Sequence, residues 1–197
     1  MTQRVEEPSG DRDRGPVALV RAWAEVLARP FRFFETGVAP DDQAPGLVFA
    51  AAVVLVEELV RLAVLPTAYP ESPLLAAVAV GAVVVVAPVV LYPVAAAATL
   101  VLVPLAPDRA GVSVNKTVQV VAYATAPCLL ASVPVLELRA LAVTYGAVLV
   151  VVGLAVVHGT SLARAALAAV VPVVVGFGYG FRGIEAVGTL LREWFVV

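Results

Sequence analysis

Residues 74–105 read LLAAVAVGAVVVVAPVVLYPVAAAATLVLVPL, a run of 32 residues without one charged side chain. A helix rises about 1.5 Å per residue, so roughly 20 apolar residues cross the ~30 Å hydrocarbon layer of a bilayer. This run predicts a membrane-spanning helix. Straight, it would measure about 48 Å, longer than one crossing needs and shorter than two with a turn between them. Pro88, Pro93 and Pro104 can each kink or end a helix. One long, bent span follows, with a re-entrant break at Tyr92-Pro93 as the alternative reading.

Working outward, further apolar blocks of spanning length occupy residues 46–65, 117–136, 141–157 and 162–181. The connectors 66–73, 106–116, 137–140 and 158–161 carry the Pro, Gly, Ser, Asn or charged residues of helix turns. The expected fold class is all-α: a polytopic membrane helix bundle with five transmembrane helices, flanked by an N-terminal and a C-terminal amphipathic interfacial helix. Residues 1–15 are expected to be a disordered polar tail and 16–45 an amphipathic helix and linker. Residues 46–181 then form the membrane domain, and 182–197 a C-terminal interfacial segment. The composition agrees, with 61 % hydrophobic and only 14 % charged residues, against about 25 % charged in soluble domains. The polar opening of the chain has no apolar signal-peptide core, so the first span is expected to direct insertion.

Charge sets the orientation. With the N-terminus inside, nine basic residues (Arg4, Arg12, Arg14, Arg21, Arg29, Arg32, Arg109, Lys116 and Arg164) lie on the inner side, and Arg139, Arg182 and Arg192 on the outer. The positive-inside rule then predicts a cytoplasmic N-terminus and an external C-terminus, and the expected location is the plasma membrane. A formal net charge of −2 provides no basic field for nucleic acid. The single cysteine, Cys128, excludes an intrachain disulfide.

Ahead of the first span, Val20, Trp23, Leu27, Phe31 and Phe34 recur at steps of three and four, with Arg21, Glu25 and Arg32 opposite. This pattern predicts an interfacial helix over residues 16–29, interrupted by Pro30 and followed by a short turn carrying Phe31, Phe33 and Phe34. Trp23, Leu27, Phe31, Phe33 and Phe34 form a candidate surface toward the membrane or a docking partner. Ile184, Val187, Leu191 and Trp194 repeat the helical spacing at the other end.

Glu57, Glu58 and Arg61 stand inside the first span, where ionisable groups are costly and mark a site or a paired contact. Separations of four and three place an intrahelical ion pair within reach and leave one acid in excess. His158, Ser161 and Arg164 form a candidate cytoplasmic turn, with Thr160 or Ser161 capping the last span. No His, Cys or acidic cluster has metal-ligand spacing, and no Ser or Cys has a base at readable spacing, so no catalytic residue, metal or cofactor is expected. Small residues at 95–98, Gly146, Gly153, Gly176, Gly178 and Gly180 permit close helix packing, within the bundle or in a homo-oligomer.

Three stretches then carry a resemblance: Trp23-Ala24-Glu25-Val26-Leu27-Ala28-Arg29-Pro30 with Phe33-Phe34, Val120-Val121-Ala122-Tyr123-Ala124-Thr125-Ala126-Pro127, and His158-Gly159-Thr160-Ser161-Leu162-Ala163-Arg164-Ala165. With five spans and an inner N-terminus, they resemble the Yip family of Ypt/Rab-interacting membrane proteins, in a prokaryotic form, over about residues 18–181. The resemblance implies a non-enzymatic scaffold. The Asp-Leu-Tyr-Gly-Pro motif of the eukaryotic members has no clear counterpart here. The expected role is a membrane scaffold that organises lipid or engages a membrane or cytoplasmic protein partner. The alternative is a small ion or solute transporter using Glu57, Glu58 and the Pro-broken second span.

Overall fold

The computed structural model describes residues 15–105 and 111–195. Among them the chain forms α1 (Pro16–Ala28), α2 (Pro30–Gly37), α3 (Ala44–Val64), α4 (Pro73–Leu105), α5 (Val114–Ala124), α6 (Leu136–Val157), α7 (Leu162–Pro172) and α8 (Gly183–Phe195), and no strand. Short 3-10 stretches cover Pro66–Ala68 and Ala126–Ser132, and a π-helix extends α7 over Val173–Gly180. The expected tail, apart from Gly15, and Arg109 of the inner connector lie outside the described residues.

α4, α6 and α7 with its π-helical extension are long and apolar enough to cross a membrane. α4 is a single helix running through Pro88 and Pro93, without a break at Tyr92-Pro93. Its Val83, Val85, Val86, Val89 and Val90 are exposed on the protein surface. In lipid that exposure carries no hydrophobic penalty, because acyl chains are as apolar as valine. α3 is 21 residues long but bears Glu57, Glu58 and Arg61.

The centre of the molecule is α5 and the 3-10 stretch after it. Every residue from Thr117 to Cys128 is buried, with α3, α4 and α6 packed around them. The sequence predicts one spanning helix over residues 117–136, and the structure instead has 11 α-helical residues followed by a tighter coil. Pro127 explains the change, since it lacks an N–H and disfavours helical geometry in the residue before it. The Cys128 N–H accordingly bonds the Thr125 carbonyl at 2.8 Å, one residue closer than in an α-helix.

The N-terminal region also departs from expectation. Pro30 ends α1 but starts α2, because proline is suited to the first helical position. The anticipated turn is therefore a helix, and Phe33 and Phe34 are core residues rather than surface ones. Phe33 packs edge-on against Tyr123, with centroids 4.8 Å apart. Trp23 Nε1 donates to the Ala126 carbonyl at 2.8 Å, and the Tyr145 hydroxyl donates to the Leu27 carbonyl at 2.6 Å. α1 is thus tied to the 3-10 stretch after α5 and to α6.

Helix ends follow local chemistry. Gly159, at φ +58°, closes α6 in a Schellman arrangement: Thr160 N–H reaches the Ala155 carbonyl at 3.0 Å and Gly159 N–H the Val156 carbonyl at 3.3 Å. Ser161 caps α7, its hydroxyl accepting from the Arg164 N–H at 3.4 Å.

Candidate functional site

α3 runs from the Gln119 end of the bundle to the loop at Pro66, and its period brings Glu57 and Glu58 inward. Both are buried, at 3 % and 6 % exposure. The intrahelical pairing expected with Arg61 is not what forms. Glu57 Oε1 accepts a charge-assisted bond from Arg182, which is 125 residues away and two residues past the end of the π-helix. Glu58 Oε2 accepts from the Tyr69 hydroxyl in the loop after α3. Arg61 lies on a more exposed side of the helix and sits over the Tyr69 ring, 5.5 Å from its centroid. Positions three and four apart do share a helix face, but Arg61 is only partly buried, and folding brings Arg182 and Tyr69 to the buried acids.

Arg182 is the one non-glycine among the described residues with positive φ, at 58°. That conformation is unfavourable for a residue bearing Cβ, and it turns the chain between Phe181 and Gly183. A Cβ at Gly183 would lie 2.6 Å from the Phe177 carbonyl oxygen, so the turn is tight on both sides. The Arg182 Nε is buried without an acceptor. Burial, and then the bond to Glu58, push the Tyr69 phenol up to about 12, so it remains a donor throughout the physiological range.

Glu57 and Glu58 line a 370 Å³ cavity between α3, α4, α5 and the π-helix. Its walls are otherwise nearly all apolar, with Val54, Val86, Val90 and Phe177 among them. A volume of that size falls within the usual range for small-molecule sites. The π-helix supplies Gly176 and Gly180 to the wall, and π-helical geometry is uncommon and often found at functional sites.

A second polar group forms at the opposite end of the helices. The Thr117 hydroxyl lies 3.0 Å from both the Thr99 hydroxyl and His158 Nε2. The Gln119 side chain bonds both the N–H and the carbonyl of Ala39, fixing the linker before α3. His158 is buried rather than set in an exposed turn, at 7 % exposure. Burial, and secondarily the Lys116 cation, push its imidazole down to about 4, against a small upward pull from the Gly111 backbone. It is therefore neutral at neutral pH.

Of the five aromatic-surface candidates, Phe33 and Phe34 are buried, Trp23 and Leu27 are half-buried against the core, and Phe31 is exposed. Ser161 and Arg164 are exposed, while His158 is not. Arg182, Tyr69, Thr99 and Thr117 were not anticipated as site residues. Position was a usable signal for Arg182 and Tyr69, since each follows closely on the end of an apolar block near the level of the acids.

Three helices long and apolar enough to cross a membrane, in a bundle with no strand among the described residues, mark a membrane protein. The chain belongs to the Yip1-domain family, whose family model matches residues 24–181. No curated protein and no solved structure matches it. Within this fold two of the stretches that carry the resemblance meet one another: Trp23 bonds Ala126, and Phe33 packs on Tyr123.

Proposed function

We propose that this Yip1-domain protein is a non-enzymatic scaffold of the plasma membrane that organises lipid and a protein partner at its α1–α2 surface. In this reading α3 and the 114–132 segment supply two further crossings beyond α4, α6 and α7, making five, with the N-terminus cytoplasmic and the C-terminus outside. The alternation of the five segments and the nine-to-three bias of basic residues support that orientation.

The observation that carries the scaffold reading is how α1 and α2 are held. Their inner side is locked by the Trp23 and Tyr145 hydrogen bonds and by Val26, Phe33 and Phe34. Val17, Val20 and Phe31 remain exposed at 69 %, 66 % and 59 %, beside Arg21 and Arg32. A rigidly mounted surface with apolar and basic side chains suits contact with anionic headgroups and with protein, at little ordering cost. The test is in-cell photocrosslinking from position 31. The expected result is a reproducible adduct that Val20→Asp abolishes while the purified variant keeps its wild-type melting temperature. An adduct unchanged by Val20→Asp would count against the surface.

Transport is the second reading, favoured by the cavity beside two buried carboxylates. It predicts solute or ion flux in proteoliposomes that Glu58→Gln alters; a wild-type preparation with no flux above empty liposomes would argue against it.

A further inference from the structure

We propose that the cavity between α3, α4, α5 and the π-helix is a binding site for one membrane phospholipid with a primary-ammonium headgroup, its acyl portion against the valine wall and its headgroup at Glu57 and Glu58. This rests on the lipid-organising reading above and names its ligand class. Two observations converge. The cavity lies among apolar segments, and Val83, Val86 and Val90, which line it, belong to the exposed face of α4. A lipid chain can therefore enter sideways without passing a polar barrier.

One end of this cavity presents acceptor oxygens that lack donors. Glu57 engages Arg182 through Oε1 and Glu58 engages Tyr69 through Oε2. Among the described residues the other oxygen of each carboxylate has no donor. A carboxylate oxygen that faces an apolar cavity without a donor is costly, and the cost is greater in a membrane interior where water is scarce.

This need specifies the headgroup. The carboxylate oxygens favour charged N–H donors, which a primary ammonium has and a quaternary choline lacks. A glycerol headgroup offers only neutral hydroxyl donors and sets a further anion beside two acids. The order of preference is therefore phosphatidylethanolamine, then phosphatidylcholine, then phosphatidylglycerol.

The experiment is native mass spectrometry of the full chain exchanged into nanodiscs with equal amounts of these three lipids. Wild type should retain one phosphatidylethanolamine in preference to the others. Glu58→Gln, which keeps an acceptor for Tyr69 but removes the charge, should lower that retention about tenfold, the scale of one charge-assisted bond. Val86→Trp should lower it by filling the cavity. Val85→Trp, on a neighbouring exposed position that does not line the cavity, should leave it unchanged. Retention of the three lipids in equal amounts by wild type, or wild-type selectivity in both Glu58→Gln and Val86→Trp, would overturn the site. The position-31 crosslink is read independently, so an intact adduct with no lipid selectivity removes the lipid site and spares the scaffold reading.

Discussion

His158 shows how one residue changes meaning between sequence and structure. In the sequence it stands in a polar turn beside Gly159, Thr160 and Ser161; in the bundle its ring is enclosed and 3.0 Å from the Thr117 hydroxyl. Its pKa is about 4 in the folded protein, below the ordinary 6.5, so between these values the unfolded chain binds more protons than the folded one. Stability contributed by the neutral imidazole is complete above pH 6.5 and is lost as the pH falls toward 4, by on the order of 3 kcal/mol. Melting temperature in detergent should therefore fall more steeply over that window in wild type than in His158→Gln, which keeps a polar group toward Thr117 without a titrating ring. Parallel profiles would remove His158 as the cause. The same scale explains why the Glu57 pairing was not legible: Arg61 is four residues away in sequence, but only folding brings Arg182 to the buried carboxylate.

Among the elements, α6 depends most on what it lacks. A Cβ at Gly146 would lie 2.2 Å from Phe177 Cε1, and one at Gly153 would lie 2.6 Å from Val120 Cγ1 and 3.0 Å from the Phe34 ring. These two glycines let α6 approach the π-helix on one level and α2 and α5 on the other. In a membrane, where water does not drive helices together, such close approach is a principal source of cohesion. Gly146→Ala is expected to push the Phe177 ring into the cavity and to lower stability by about 1–3 kcal/mol, read as a lower melting temperature in detergent. Gly81→Ala on α4, where a Cβ meets nothing within 4 Å, should be neutral or stabilising, by up to about 1 kcal/mol. An equal loss in both variants would show that helix propensity and lipid contact, rather than the Phe177 contact, set the response. The glycines were legible as packing residues, but which neighbour each one admits was not. The α5 segment was harder still, because a buried core and a lipid-facing span draw on the same apolar residues, and only Pro127 signalled that the helix would not continue.

For the whole molecule, the five-crossing arrangement makes opposite predictions for the two ends. In a Cys128→Ala background, a cysteine at Thr36 should react with a membrane-impermeant maleimide only after permeabilisation, and one at Glu193 should react in intact cells. Labelling of both on the same side would require an even number of crossings and reject the topology. The distribution of the chain's chemistry separates what each level decided. The sequence by itself determined a helical, membrane-embedded chain, the long single helix through Pro88 and Pro93, and the family, since all of these rest on local quantities: hydrophobic length, proline position and short motifs. Only the tertiary structure decided that Phe33 and Phe34 are core, that Arg182 answers Glu57, and that two acids border a cavity. The reason is that in an almost uniformly apolar chain the hydrophobic pattern says that a helix is in the membrane but not which face meets protein. That choice is made by packing between segments far apart in sequence, and it is there that the candidate site is assembled.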